Sequence, residues 1–277
     1  MSHPVLAPGR VAVVTGAASG IGLAVCKRLA ALGMRIWLAD VNQEKLEKAR
    51  GEVAAIAKAG DGDVRSSVVD VSRLSDVERL QREVWASFGE TALLMNNAAA
   101  FRFAGAFRDV EAWDKTFAVN VMGVVHGLQV FVPKMIEQAK SSAVINTGSK
   151  QGITNPPGMP NYNAAKAAVK SLTESLQHEL RNTEGCRVSA HLLVPGWTTT
   201  GDREHHPSAW LPEQVADHMI AALERGDFYI ICPDNEVSPE MDRKRIIWGA
   251  MDVCENRAPL SRWHPDYQQA FDEFEPT

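Results

Sequence analysis

The chain has 277 residues, of which 45% are hydrophobic and 23% are charged, and this length and composition fit one large globular α/β domain. The net charge of −5 and the scattered Lys and Arg residues argue against a nucleic-acid partner, which needs a basic face. No uninterrupted apolar span reaches membrane length and the N-terminus lacks the layout of a signal peptide, so we expect no membrane partner and a cytoplasmic location. The four cysteines are dispersed without metal-ligand spacing, which fits a reducing compartment and predicts no metal site.

A glycine-rich turn joins the first predicted strand to the first predicted helix. The strand Val11–Thr15 is rich in valine, and apolar residues recur at helical spacing over residues 23–32. A helix N-terminus placed directly after a strand presents free backbone amides and a positive dipole to a phosphate. A plain turn is the alternative, but this context favours dinucleotide binding. The turn residues assigned to the cofactor are Gly16, Ser19, Gly20, Ile21 and Gly22.

Asp40 follows the second predicted strand, residues 35–39. A carboxylate at this place can accept hydrogen bonds from both hydroxyls of an adenosine ribose, and it would repel a 2′-phosphate. Asp40 could instead cap the helix predicted to begin at Asn42. Because Val41 rather than an arginine comes next, nothing nearby attracts the phosphate, and we predict NAD rather than NADP.

Strands and helices alternate regularly along the rest of the chain, which predicts a parallel sheet with helices on both faces and a single domain over residues 1–277. The predicted strands are 66–71, 92–95, 143–145, 187–194 and 228–232, and the predicted helices are 42–59, 74–88, 110–138, one starting near Tyr162, and 212–224. Residues 235–277 form a C-terminal extension, in which 239–253 is predicted to be an amphipathic helix. Trp248 on that helix either shapes a substrate pocket or braces the extension, and the sequence favours neither.

The residues that follow the fifth predicted strand suggest acid–base chemistry. Lys166 lies four residues after Tyr162, so the ammonium and the phenol share one face of the next helix. A free tyrosine titrates near 10, and a fixed cation nearby would lower the pKa, so we predict that Tyr162 titrates below 10. Ser149 would add a hydroxyl that holds a substrate oxygen. This spacing alone is a weak pattern, because most such tyrosines simply pack or reach to the surface.

Taken together, these motifs resemble the short-chain dehydrogenase/reductase family over roughly residues 9 to 234. The resemblance implies a seven-stranded, doubly wound, Rossmann-type sheet with NAD(P) bound across the carboxyl ends of the strands. It also implies a homo-oligomer, a dimer or tetramer, an idea that small residues on the helix after Tyr162 also favour. The matching residues are Thr15, Gly16, Gly20, Ile21, Gly22, Asp40, Asp70, Asn96, Asn97, Ala98, Asn120, Ser149, Tyr162, Lys166, Pro195 and Gly196.

The resemblance assigns roles residue by residue. Tyr162 would be the catalytic acid/base, Ser149 would bind the substrate oxygen, and Lys166 would bind the nicotinamide ribose and lower the tyrosine pKa. Asn120 would lie at a break in the long helix and hold a water that relays protons. Further cofactor contacts are implied for Asp70, Val71, Asn96, Asn97, Ala98, Pro195, Gly196, Thr198 and Thr200.

Two residues depart from the family pattern, since Ala99 stands where glycine is usual and Lys150 stands where a small residue is common. Ala99 tolerates positive φ poorly, so we expect the loop there to run slightly differently.

The sequence says less about the substrate side. By analogy of fold, the pocket lies under loops that carry Phe101, Phe103, Gln151, Met159, Trp197 and Trp210. We predict Ser149, Gln151, Tyr162 and Trp197 as substrate contacts, and a bulky apolar or aromatic secondary alcohol or ketone as the substrate. Arg102 and Lys150 leave an acidic substrate open. The sequence is also compatible with a non-catalytic dinucleotide-binding protein, and less well with a dehydratase or an epimerase.

Overall fold

The computed structural model describes residues 3–58, 60–201 and 203–276, so the predicted domain limits at residues 1 and 277 lie outside them. Within the described residues, seven parallel strands form one sheet in the order β3-β2-β1-β4-β5-β6-β7, which confirms the predicted doubly wound α/β fold. The strands are β1 Val11–Thr15, β2 Arg35–Asp40, β3 Val64–Val68, β4 Leu93–Asn96, β5 Ser142–Thr147, β6 Val188–Val194 and β7 Tyr229–Ile231.

Helices cover both faces of the sheet, so the central strands are buried on both sides. Along β1, Ala12 and Val14 belong to a core shared with one set of helices, and Val11 and Val13 belong to a core on the opposite face. The helices are α1 Gly20–Ala31, α2 Gln43–Ala54, α3 Leu74–Phe88, α4 Val110–Phe117, α5 Gly123–Glu137, α6 Gln151–Thr154, α7 Pro160–Asn182, α8 Pro212–Arg225, α9 Pro239–Cys254 and α10 Gln268–Glu273.

The strand order places a crevice at the centre of the sheet. Strand β1 pairs with β2 on one side and with β4 on the other, so the chain turns in opposite directions from this point. In such sheets ligands bind outside the carboxyl ends of the strands where the order reverses. The turns after β1, β2, β4 and β5 all open there.

The predicted helix 110–138 is one continuous helical segment with a local break. A π-helical stretch, Ala118–Met122, joins α4 to α5 and contains Asn120. The segment Val110–Glu137 is long and apolar enough to cross a membrane by length and composition alone, a test that core helices of soluble proteins also pass. In this structure its residues Phe131 and Met135 are buried in the core beneath the sheet.

Two predicted elements extend three or more residues beyond their observed C-terminal ends. Strand β3 covers Val64–Val68 and not 66–71, because its partner β2 ends at Asp40, which pairs with Val68. Val69 and Val71 are buried in the core without joining the sheet, and their apolar character misled the prediction. Helix α2 ends at Ala54 rather than at Ala59, which lies outside the described residues.

The C-terminal extension folds around Trp248. The indole is 3% exposed and packs edge-on against Phe271 and Phe274, with ring centroids 5.3 Å away in each case. Its Nε1 donates a hydrogen bond to the Ser261 hydroxyl at 2.7 Å, and the Arg257 guanidinium lies over the ring. Trp248 therefore braces the extension and does not line the substrate pocket.

Candidate active site

The turn after β1 leaves room for a ligand because two glycines permit close backbone contacts. Gly16 has φ +64°, and a Cβ at this residue would lie 2.8 Å from the Cα of Ala98. A Cβ at Gly22 would lie 2.3 Å from the carbonyl oxygen of Gly16. Helix α1 begins here with no acidic residue in its first turn and no hydrogen bond from the Ser19 side chain. Its N-terminal amides and dipole therefore suit the phosphates of a dinucleotide.

Asp40 lies beside this turn in a fixed orientation. Its Oδ2 accepts a hydrogen bond from the Ala18 amide at 3.1 Å, and its Oδ1 accepts one from the Asn42 amide at 3.0 Å. The cap of α2 is Asn42, whose side chain accepts from the Lys45 amide, so Asp40 does not cap this helix. Asp40 thus remains available to a ribose at the end of the cleft.

A cavity of about 850 Å³ runs across the carboxyl ends of the strands, within the size range of ligand pockets. It brings together residues from several different turns and loops. The sequence-predicted site residues that line it are Gly16, Ser19, Gly20, Ile21, Asp40, Asn97, Ser149, Gln151, Tyr162, Lys166, Pro195, Gly196, Trp197, Thr198 and Thr200.

Six predicted residues are not among those that line the cavity: Gly22, Asp70, Val71, Asn96, Ala98 and Asn120. Asn96 is buried and donates a hydrogen bond to the Asn146 side chain at 2.9 Å. Asp70 accepts a hydrogen bond from the Ser72 hydroxyl at 2.6 Å, and the Val71 carbonyl oxygen lies 2.8 Å from the His126 ring. These polar groups therefore hold the strand ends and loops beside the cavity in place.

Ser149, Tyr162 and Lys166 meet at the other end of the cavity. Helix α7 begins at Pro160, which places Tyr162 in its first turn and Lys166 one turn later. The Lys166 ammonium is buried and donates a hydrogen bond to the Thr147 carbonyl oxygen at 2.7 Å. Its Nζ lies 5.6 Å from the centre of the Tyr162 ring. The three polar groups thus face one space in which a substrate oxygen could sit.

Burial governs the pKa of both titratable groups. Burial raises the pKa of Tyr162 to about 12, although a hydrogen bond with Ser149 and the charge of Arg203 oppose this shift. Burial therefore opposes the lowering of the Tyr162 pKa that the sequence predicts from a neighbouring cation, since the phenol is almost fully removed from water. Burial also lowers the pKa of Lys166 to about 8.

Asn120 lies at the helix break, as predicted, and ties down the loop after β4. Its Oδ1 accepts a hydrogen bond from the Ala100 amide at 2.8 Å, and its Nδ2 donates to the Ala100 carbonyl oxygen at 2.9 Å. Because both ends of the side chain are engaged, it positions the wall of the cavity. Ala99 in the same loop is not among the residues of positive φ, so it carries no such strain.

Aromatic side chains and one arginine cover the substrate end. Phe101 stacks on the Tyr162 ring with centroids 4.8 Å apart, and the Arg203 guanidinium lies 5.5 Å from the Phe101 ring centre. Trp197 stacks on His206 at 4.4 Å. Phe103 and Met159 also line the cavity, whereas Trp210 does not. No group of three or more potential metal-ligating side chains occurs among the described residues.

Lys150 is engaged within the protein. Its Nζ lies 2.6 Å from the Asp242 carboxylate of α9 and 3.4 Å from the Asp234 carboxylate. Arg102, the other cation considered for an acidic substrate, does not line the cavity.

Comparison with known proteins identifies the family. A sequence model of the short chain dehydrogenase family matches residues 10–209. The chain belongs to this family. The 3-oxoacyl-(acyl-carrier-protein) reductase of Thermotoga maritima is 31% identical over 79% of this chain and 85% of its own length. The predicted resemblance is confirmed, and the protein is an oxidoreductase of the short chain dehydrogenase family.

Solved structures of this family agree in fold and differ in cofactor. A short chain dehydrogenase/reductase from Burkholderia phymatum in complex with NAD is 32% identical, with a TM-score of 0.81 over 91% of this chain and 96% of that chain. A metagenomic short-chain oxidoreductase in complex with NADP is 28% identical, with a TM-score of 0.69 over 82% of this chain and 98% of that chain.

Among the residues that sequence reasoning missed, three charged side chains line the cavity or hold its wall. Lys45 lines the same end of the cavity as Asp40, and helical spacing from Asn42 could have placed it there. Arg203 carried no signal, because it lies in a loop of irregular structure. Asp242 lies within the predicted amphipathic helix 239–253, and its contact with Lys150 arises from tertiary folding, which no local pattern shows.

Proposed function

We propose that this protein is an NAD-dependent oxidoreductase that interconverts a secondary alcohol and a ketone, with a bulky apolar or aromatic substrate. The observation that carries the proposal is the meeting of Ser149, Tyr162 and Lys166 at one end of a cleft whose other end holds Asp40 and the glycine turn. This arrangement joins proton-transfer groups to a dinucleotide-sized binding site, which a purely regulatory protein does not require.

Each part of the cleft has its own task in this reaction. The glycine turn and the α1 amides bind the phosphates, and Asp40 accepts hydrogen bonds from the hydroxyls of the adenosine ribose. The bound nicotinamide supplies the hydride acceptor or donor. Ser149 donates a hydrogen bond to the substrate oxygen, and Tyr162 exchanges a proton with it.

Because the pKa of Tyr162 is about 12 in this environment, its phenol is protonated at neutral pH. The protonated phenol is the form that gives a proton to a ketone oxygen. Oxidation of an alcohol needs the phenolate, so we expect its rate to rise with pH into the alkaline range. Lys166 favours the phenolate when it is itself charged.

An acidic substrate is the second candidate, and Arg203 favours it. Arg203 lines the substrate end of the cavity, where its guanidinium lies over the Phe101 ring. A substrate carboxylate bound beside Phe101 would lie close to the Arg203 guanidinium. We expect Arg203→Met to raise KM for a carboxylated aromatic substrate and to leave KM for its neutral analogue unchanged.

The test is a screen of secondary alcohols and ketones, neutral and carboxylated, for a change in the absorbance of reduced nicotinamide. The matched control is Tyr162→Phe, which keeps the ring that stacks on Phe101. We expect kcat to fall by roughly 10² to 10⁴ on loss of a general acid/base, with cofactor affinity retained. Near-normal turnover by Tyr162→Phe would refute the catalytic role. Binding of the dinucleotide without turnover of any alcohol or ketone would instead favour a non-catalytic dinucleotide-binding protein.

A further inference from the structure

A buried cluster of three charged side chains lies at the substrate end of the cleft, where Lys150 itself lines the cavity. Lys150 follows Ser149 in sequence, Asp234 follows β7, and Asp242 belongs to α9 of the C-terminal extension. The Lys150 Nζ lies 2.6 Å from Asp242 and 3.4 Å from Asp234. The side chains of Lys150, Asp242 and Asp234 are 15%, 6% and 4% exposed, respectively, so solvent screens this cluster little.

Asp234 connects the cluster to the loop that carries Trp197. Its Oδ2 accepts a hydrogen bond from the Trp197 amide at 3.0 Å, and its Oδ1 accepts one from the Val237 amide at 2.7 Å. There is no spare room at this contact, since a Cβ at Gly196 would lie 2.6 Å from the Asp234 carboxylate and 3.0 Å from the Lys150 Nζ. A shift of either charged group would therefore move the backbone beside the cleft.

Lys150 connects the same cluster to the turn that carries Ser149. Its amide directs a hydrogen bond to the Pro195 carbonyl oxygen at 3.5 Å, and the Ser149 hydroxyl accepts one from the Gln151 amide at 3.2 Å. Ser149, Gly196 and Trp197 all line the cavity. Through its backbone and its ammonium, Lys150 thus links the turn that carries Ser149, the loop after β6 and the C-terminal extension.

We propose that Lys150, Asp234 and Asp242 are positioning residues, through which the C-terminal extension sets the distance between the Ser149 turn and the Trp197 loop. The kinetic part of this proposal rests on the proposed oxidoreductase function, and the structural part does not. Lys150 is the cation that contacts both carboxylates, so its removal leaves two like charges close together, which repel and separate the walls.

The electrostatics of the two carboxyls agree with this arrangement. Burial would raise the pKa of Asp234, but the Trp197 amide and the Lys150 ammonium outweigh it and hold that pKa below its usual value. Burial raises the pKa of Asp242, with Lys150 opposing the shift and Asp234 adding to it. Asp242 is therefore the carboxyl that depends more on Lys150.

The experiment compares Lys150→Met, Asp242→Asn and the double variant, using the full chain and the substrate found by the screen. Lys134→Met is the matched control, because Lys134 forms an exposed pair with Glu137 on α5. We expect Lys150→Met to lower kcat/KM by about tenfold or more, and the double variant to recover most of the loss because the repulsion is gone. Lys134→Met should behave as the parent protein.

Two kinetic outcomes would overturn the proposal. A Lys150→Met loss that Asp242→Asn does not restore would mean that Lys150 acts on the substrate directly. Parent-like kinetics of Lys150→Met, with only a lower Tm, would mean that the cluster is a brace without influence on the site.

Hydrogen exchange measured by mass spectrometry separates this proposal from the proposed function. We expect Lys150→Met to speed exchange in residues 196–211 and 239–254 together, and the double variant to restore protection in both. If Lys150→Met does not fold, Lys150→Gln, which also removes the ammonium but keeps a hydrogen-bond donor, should speed exchange in both segments. Unchanged exchange in residues 196–211 would overturn the proposed coupling between the C-terminal extension and the Trp197 loop. Faster exchange in both segments, in a protein that turns over no alcohol or ketone, would support the coupling and refute the proposed oxidoreductase function.

Discussion

At the scale of single residues, the cofactor end of the cleft holds two opposite charges. Asp40 is fixed by the Ala18 and Asn42 amides, and Lys45 lines the cavity from the first turn of α2. A 2′-phosphate bound here would meet repulsion from the carboxylate and attraction from the ammonium. Because the carboxylate is held by two backbone amides at the place where the adenosine ribose would bind, we expect Asp40 to decide the preference.

We therefore predict that the protein binds NADH at least about tenfold more tightly than NADPH, a difference of about 1.4 kcal/mol. Asp40→Asn should narrow this difference by improving NADPH binding, and Lys45→Met should widen it. Fluorescence titration of both cofactors measures the dissociation constants. Equal affinities in the parent protein, or an unchanged ratio in Asp40→Asn, would contradict the prediction.

Burial of Lys166 makes the folding stability of the protein depend on pH in the alkaline range. Its pKa is about 8 in the folded protein against 10.5 for an ordinary lysine, so between these values the unfolded chain binds the proton that the folded chain has released. Stability attributable to Lys166 therefore rises with pH across this window, by up to about 3 kcal/mol, and is constant below it. We predict that the free energy of unfolding of the parent protein, relative to that of Lys166→Met, rises from pH 8 to 10.5. Urea unfolding at several pH values tests this, and parallel profiles would refute it.

At the scale of elements, the sequence predicted the strands and the glycine turn because each has a local signature, whereas the helix break at Asn120 followed from the family resemblance. It failed at Val69 and Val71, whose burial comes from tertiary packing and not from sheet pairing. It also could not show that Lys150 pairs with Asp234, because the two residues are 84 positions apart and only the fold joins them. Local pattern determines the cofactor half of the site, and long-range packing determines the substrate half.

The role of the glycine turn in cofactor binding can be tested with two helical glycines, one in crowded and one in open surroundings. A Cβ at Gly22 in α1 would meet the Gly16 carbonyl oxygen at 2.3 Å, whereas one at Gly51 in α2 would meet nothing within 4 Å. We predict that Gly22→Ala weakens cofactor binding by displacing the turn. Gly51→Ala should leave binding unchanged and stabilise the protein by about 0.5–1 kcal/mol, as expected for alanine in a helix interior. Calorimetric titration and thermal unfolding measure the two effects, and equal cofactor affinity in both variants would count against the role of Gly22.

At the scale of the whole molecule, α7 presents a row of small residues to solvent. Ala167, Ser171 and Ser175 are exposed at intervals of one helical turn, while Ala165 and Val169 on the same helix are buried in the chain's own core. Small side chains permit two copies of a helix to approach closely across a two-fold axis, where each residue meets the same surface of its partner. This geometry would bring two active-site helices together, since α7 also carries Tyr162 and Lys166.

We predict a homo-oligomer whose contact includes this face, and that Ala167→Glu weakens it. The substitution places a carboxylate at the contact in both copies, so symmetry doubles the cost of burying like charges. The matched control is Val253→Glu, which also introduces an acid at an exposed apolar position of a helix, in α9. Light scattering at micromolar concentration should give an oligomer mass for the parent protein and for Val253→Glu, and a smaller mass for Ala167→Glu. A monomeric parent would refute the oligomer, and a mass unchanged by Ala167→Glu alone would place the contact on another face.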